Sequence, residues 1–158
     1  MSTEEEGCRI TKELMNLIAN HLKKVADKLD TEPAADLVNG IMSAKKIFLM
    51  GAGRSGFVAR AFAMRLMHLG FDVYVIGEAT APAVKSEDFV IAVSGTGTTS
   101  SIVKLGEVTK GIGATMASIT SEKDSPLAQN SDIILIIPGK NKEDSYEKEL
   151  APLGRCLS

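Results

Sequence analysis

Five short apolar runs constrain this chain most: Ile47–Met50, Asp72–Ile76, Phe89–Val93, Ala114–Ile119 and Ile133–Ile137. Phe89–Val93, five apolar residues in a row, fits a strand buried on both faces. Between the runs stand glycine-rich loops and helical spacing, over Ser55–Leu69 and Thr99–Lys110, and Ser125-Pro126 opens a short helix with Ser125 as its cap. Strands that alternate with helices form a parallel sheet with right-handed crossovers, an α/β architecture. Such sheets take ligands outside the carboxyl ends of their strands. Pro138-Gly139 stops the last run, and Lys140–Glu149 is charged and loop-like, so what covers the sheet beside the fifth strand is left open.

The 158 residues suffice for one domain with its own core. A net charge of −2 and few aromatics give no electrostatic or stacking case for nucleic acid, nor for an anionic membrane. The apolar runs are strand-sized, too short to span a bilayer. Met1–Gly7 is acidic, without the basic and apolar regions of a signal peptide, and Cys8 and Cys156 lack metal-ligand spacing. The expectation is a cytoplasmic protein with no disulfide framework and no zinc site.

Ahead of the first strand, Ile10, Leu14, Leu17, Ile18, Leu22, Val25 and Leu29 recur at helical spacing. This amphipathic helix either packs on another subunit or is a plain core helix, and His21 lies on its border. Asp30-Thr31-Glu32-Pro33 punctuates the chain, with Pro33 suited to a first helical turn. A second helix follows, with Ala34, Leu37, Val38, Ile41 and Met42 on one face. The chain thus divides into N-terminal helices (1–45), a strand-helix core (46–154) and a short tail (155–158).

Two loops carry the chemistry. After Phe89–Val93 the chain turns to Ser94-Gly95-Thr96-Gly97-Thr98-Thr99-Ser100, and a helix begins near Thr99 or Ser100. Gly95 and Gly97 admit positive φ and a close backbone approach, the hydroxyls are donors, and a helix N-terminus favours an anion. No lysine stands in P-loop position, so the ligand read here is a phosphate group rather than a nucleoside triphosphate. The competing reading is a turn whose hydroxyls only cap the helix. The other loop, Gly51-Ala52-Gly53-Arg54-Ser55-Gly56, matches the dinucleotide fingerprint between a strand and a helix. Its acidic partner is badly placed, because Asp72 precedes the second strand and Glu78 comes late. Arg54 and Ser55 suit a sugar or its phosphate instead.

These two loops, with Phe62-Ala63-Met64-Arg65-Leu66-Met67-His68-Leu69-Gly70 and Gly77-Glu78, resemble the sugar isomerase (SIS) superfamily, and within it the 6-phospho-3-hexuloisomerases. The resemblance runs from the N-terminal helix to about Gly154. It implies a three-layer, five-stranded flavodoxin-like sheet, a homotetramer, neither metal nor cofactor, and a sugar phosphate held on the second loop. The implied reaction interconverts 3-hexulose 6-phosphate and fructose 6-phosphate through an enediol. Alternatives are another phosphosugar isomerase, such as arabinose 5-phosphate isomerase, or a phosphosugar-binding module without catalysis.

Candidate site residues follow from the match. His68 and Glu78 are the candidate bases, His68 by reaching into a neighbouring subunit's cleft. Gly53, Arg54, Ser55, Ser94, Gly95, Thr96 and Thr99 are candidate substrate contacts, and Arg65 is read as an interface or packing residue. The chain departs from the family twice. Thr98 replaces a usual Glu, and Arg155-Cys156-Leu157-Ser158 stands where a Thr-Leu-Phe-Glu-type segment and a long helix are expected. Codons for that tail, shifted by one letter, can encode Thr-Leu-Phe-Glu, so a frameshift and the loss of a candidate catalytic Glu are expected.

Overall fold

A computed structural model describes residues 3–138, the side chains of 3–5 excepted. The charged stretch Lys140–Glu149, Gly154, Cys156 and the 155–158 tail lie outside the described residues. The five apolar runs form strands β1 (Ile47–Gly51), β2 (Val73–Val75), β3 (Phe89–Val93), β4 (Thr115–Thr120) and β5 (Ile133–Ile136). All pairings are parallel, in the order β2-β1-β3-β4-β5. This is the flavodoxin-like order, in which the direction of winding reverses between β1 and β3.

Helices α1 (Thr3–Ala26), α2 (Thr31–Ser43), α3 (Gly53–His68) and α4 (Ser100–Ile112) complete the described chain. Asp30 caps α2, its carboxylate accepting from Glu32 N at 3.1 Å, and Pro33 stands in the first turn as expected. The expected short helix after Ser125 reduces to a single 3-10 turn, Ala128–Asn130. The Ser125 hydroxyl still accepts from Ala128 N at 3.3 Å.

Alternation along the strands builds two apolar layers. Ile47 and Leu49 of β1, with Phe89 and Ile91 of β3, face Leu37 and Ile41 of α2 and Ala59, Ala63 and Leu66 of α3. Phe48 and Met50, with Val90 and Ala92, face Ile102 of α4 and Leu127. The sheet is thus the middle of three layers, its central strands closed off from water on both sides. The cover beside β5 comes from an unexpected direction: α2, which precedes every strand, packs against it. Gly40 allows this fold-back, because a Cβ there would run into the Phe89 ring.

The two N-terminal helices therefore differ. α2 is part of this chain's core, whereas none of the described side chains of α1 is buried and the helix packs extensively on no described element. Met15, Ile18 and Leu22 are all more than 60% exposed along its stripe.

Candidate functional site

β1 and β3 are neighbours in register, Gly51 lying opposite Val93. Because the strands are parallel, the loops that follow them emerge side by side at one edge, at the point where the winding reverses. The loop after β2, carrying Glu78, and the end of β4, carrying Thr120 and Ser121, reach the same edge. The register thus gathers four loops that are far apart in sequence.

The first loop is shaped by contact between backbones. A Cβ on Gly51 would come within 2.9 Å of Ser55 carbonyl atoms, and one on Gly56 within 2.8 Å of Gly51 O. Only glycine lets α3 start this close to the end of β1. Gly53 takes φ +55°, a conformation that costs other residues about 1–2 kcal/mol. The cap residue of α3 is Ala52, which has no capping side chain. Ser55, read as a donor or a cap, is therefore inside the first turn. Arg54 is exposed there and makes no ion pair among the described residues.

The second loop has the same character. Thr99 is the cap residue of α4, yet its hydroxyl makes no capping bond, and the Ser94 side chain, 3% exposed, has no partner among the described residues. The capping-only reading thus fails on its own terms, since the hydroxyls are not spent on capping. Thr96 and Thr98 hydroxyls pair with each other at 2.8 Å. The N–H groups of Gly95, Thr96 and Gly97 donate to no described residue, while Gly95 O accepts three hydrogen bonds and Gly97 O one. Successive N–H groups with their carbonyls tied back are the makings of an anion-binding concavity. Two uncapped helix N-termini, α3 and α4, point their positive ends at this edge.

Of the candidate bases, the structure brings Glu78 to the edge and leaves His68 away from it. Gly77, at φ +97°, turns the chain out of β2. Glu78 N donates to Val75 O at 3.2 Å, its carbonyl accepts from Ala81 N at 3.1 Å, and its carboxylate pairs with Arg60 at 3.0 Å. His68 ends α3 at the opposite edge of the sheet, exposed, roughly 20 Å along the helix axis from Gly53. Within one chain His68 cannot share a substrate with Ser94.

A groove of about 330 Å³ runs along α4, lined by Thr98, Ser100, Val103, Lys104, Glu107 and Pro126. It excludes Ser94 and Arg54, and its lining carries one lysine and one glutamate. Among the described residues no group of three His, Cys, Asp or Glu side chains is placed to hold a metal ion, and no helix is long and apolar enough to cross a membrane.

Arg60, Thr120 and Ser121 did not stand out in the sequence. The one available signal was positional: hydroxyls at the carboxyl end of a parallel strand belong to the ligand edge.

Residues 40–153 match the family model described as SIS domain. A 3-hexulose-6-phosphate isomerase of Bacillus subtilis (strain 168) is 36% identical over 146 residues, covering 91% of this chain and 79% of that protein. A protein of the same name from Mycobacterium gastri is 44% identical over 130 residues, covering 82% and 65%. Among solved structures, a Methanococcus jannaschii protein whose crystal structure infers a molecular function of 3-hexulose-6-phosphate isomerase superposes with a TM-score of 0.73. It is 34% identical, with 83% of this chain and 76% of that chain covered.

Proposed function

This chain belongs to the SIS-domain family, and from that premise we infer that it is an intramolecular isomerase interconverting 3-hexulose 6-phosphate and fructose 6-phosphate. The observation that carries the reading is the pair of uncapped helix N-termini at adjacent loops, with the Ser94 and Thr99 hydroxyls unspent. The phosphate lies on Ser94, Gly95, Thr96 and Thr99, and Gly53, Arg54 and Ser55 contact the sugar. Phosphate binding then fixes the reacting carbons relative to the base.

The reaction requires no net oxidation. A base takes the proton on C2, the electron pair forms the C2–C3 double bond, and the C3 carbonyl oxygen takes up a proton to give the enediol. Loss of the O2 hydroxyl proton and return of a proton to C3 leave a carbonyl on C2 and a hydroxyl on C3. Glu78 is the base favoured by position. β2 and β3 are two strand spacings apart, about 10 Å, comparable with the length of an extended hexulose phosphate. A phosphate on the β3 loop places the carbonyl end near the β2 loop. Donors at the first loop, Ser55 and the α3 N–H groups, face the developing oxyanion.

Ser94→Ala combined with Thr99→Ala should raise the fructose 6-phosphate dissociation constant, each lost bond to a charged oxygen being worth about 1.5–3 kcal/mol. Unchanged affinity by calorimetry, with the circular dichroism spectrum intact, would remove the phosphate from this loop. Turnover of hexulose 6-phosphate by the unmodified chain separates the isomerase from a binding module, and preference over arabinose 5-phosphate separates it from that relative reaction. A dinucleotide site is disfavoured, because the acidic group nearest the β2 end is engaged by Arg60.

The chain acts as a homotetramer, a metabolic enzyme of the cytoplasm, with α1 in the interface. Support comes from the exposed stripe on α1 and from Phe57, Val58 and Met64, each at least half-exposed on α3. His68, exposed at the end of α3, belongs to the same surface, from which it faces a neighbouring chain's cleft. A chain lacking the residues before Asp30 should lose oligomeric mass in light scattering. The same mass for both chains would place the interface elsewhere.

A further inference from the structure

We propose that Thr120 and Ser121 are positioning residues for the phosphate loop, holding the Gly95 carbonyl away from the anion. This inference rests on the reading of Ser94–Thr99 as the phosphate site. Gly95 O accepts three hydrogen bonds, from Ser121 N at 2.8 Å, Ser121 Oγ at 2.8 Å and Thr120 Oγ1 at 3.0 Å. Gly97 O accepts one more, from Leu127 N at 3.1 Å. The three donors to Gly95 O lie at the end of β4, Leu127 heads the 3-10 turn, and all four are outside the loop itself. A carbonyl oxygen has two lone pairs, so three donors exceed what one oxygen needs for satisfaction.

The electrostatics explain the excess. Each peptide unit presents an N–H on one side and a carbonyl on the other, and a phosphate is attracted to the first and repelled by the second. A glycine-rich loop is free to flip its peptide planes, because glycine populates both signs of φ. Left untied, the Gly95 peptide would present its oxygen to the ligand for part of the time. The Gly95 carbonyl shares its peptide plane with the Thr96 N–H, so the donors on Thr120 and Ser121 fix that plane with the unpartnered Thr96 N–H turned toward the ligand. Thr120 suits this role by its burial, at 2% exposure, which gives its hydroxyl no competing water. Neither residue touches the substrate in this arrangement.

The loss expected is therefore in binding, not in chemistry. Thr120→Val keeps the shape and removes the donor to Gly95 O, together with the acceptor of Glu122 N at 3.3 Å. It should raise the fructose 6-phosphate dissociation constant about tenfold, and KM with it, with kcat unchanged. Thr120→Ser restores the hydroxyl and should restore affinity. Ser121→Ala removes a second donor while keeping the backbone bond, and it should shift affinity in the same direction, which provides the readout even if Thr120→Val does not fold. Calorimetry with fructose 6-phosphate, alongside steady-state kinetics, reads all of these. Wild-type affinity in both Thr120→Val and Ser121→Ala overturns the proposal, as does a fall in kcat at unchanged KM. Failure of the unmodified chain to bind fructose 6-phosphate overturns the site itself, and that outcome is distinct from an unaffected variant.

Discussion

Glu78→Gln should lower turnover of 3-hexulose 6-phosphate by about 10²–10⁴-fold, the usual effect of deleting a general base, or about 3–5 kcal/mol of barrier. Glutamine keeps the shape and the backbone turn at Gly77, so substrate affinity should change little. Arg60 enters the same prediction. Its pairing with the carboxylate at 3.0 Å fixes the side chain on a loop that is otherwise exposed. An exposed pair of this kind stabilises the fold by about 0–1 kcal/mol, so any large kinetic effect of Arg60→Ala reports orientation of the carboxylate. The competing base is His68, which within one chain is at the far end of α3. His68→Asn should leave turnover intact if Glu78 abstracts the proton. Rate profiles of the two variants decide the matter: a large fall in His68→Asn with normal turnover in Glu78→Gln would move the base to the neighbouring subunit's histidine.

The second large effect is expected at Gly97. Its φ is +64°, and a Cβ there would collide with the Ser125 side chain beneath the loop. Gly97→Ala therefore combines about 1–2 kcal/mol for the left-handed backbone with about 1–3 kcal/mol of overpacking. Against a total stability of about 5–15 kcal/mol this is large. The midpoint of thermal unfolding should fall by about 5–20 °C, and phosphate affinity should fall with it. Gly53→Ala is the internal control. Gly53 also has positive φ, at +55°, but nothing lies within 4 Å of where its Cβ would be. Only the backbone contribution applies, so its destabilisation should be the smaller. Equal losses in calorimetric scans of the two variants would show that Ser125 moves aside at little cost, and the tight seat of the loop would be discounted.

Much of the core was legible because the relevant information is local. Phe89–Val93 reads as a doubly buried strand from five consecutive apolar residues, and the structure places it at the centre of the sheet with those same bounds. Gly51, Gly53 and Gly56 read as a strand-to-helix turn because tight turns demand glycine whatever surrounds them. Element ends were less legible. β2 is shorter than Asp72–Ile76, although Ile76 N still reaches Leu49 O at 2.9 Å, because pairing at a sheet edge depends on a single neighbour. The helix expected after Ser125 shrinks to one 3-10 turn since β5 begins three residues after it.

Apolar runs, glycine spacing and hydroxyl-rich stretches are properties of neighbouring residues, and they determined the strands, the α/β class and the two loops. Which face α2 covers, and which groups stand together at the edge, depend on pairing between distant segments. The parallel register sets Gly51 beside Val93 and carries Ser121 to Gly95, twenty-six positions away along the chain. It also separates Glu78 from His68, two candidates with nothing local to tell them apart, by running α3 back across the sheet. The physical reason is that strand order is chosen by the burial of whole faces, and that free energy belongs to the assembled layers rather than to any one stretch of sequence.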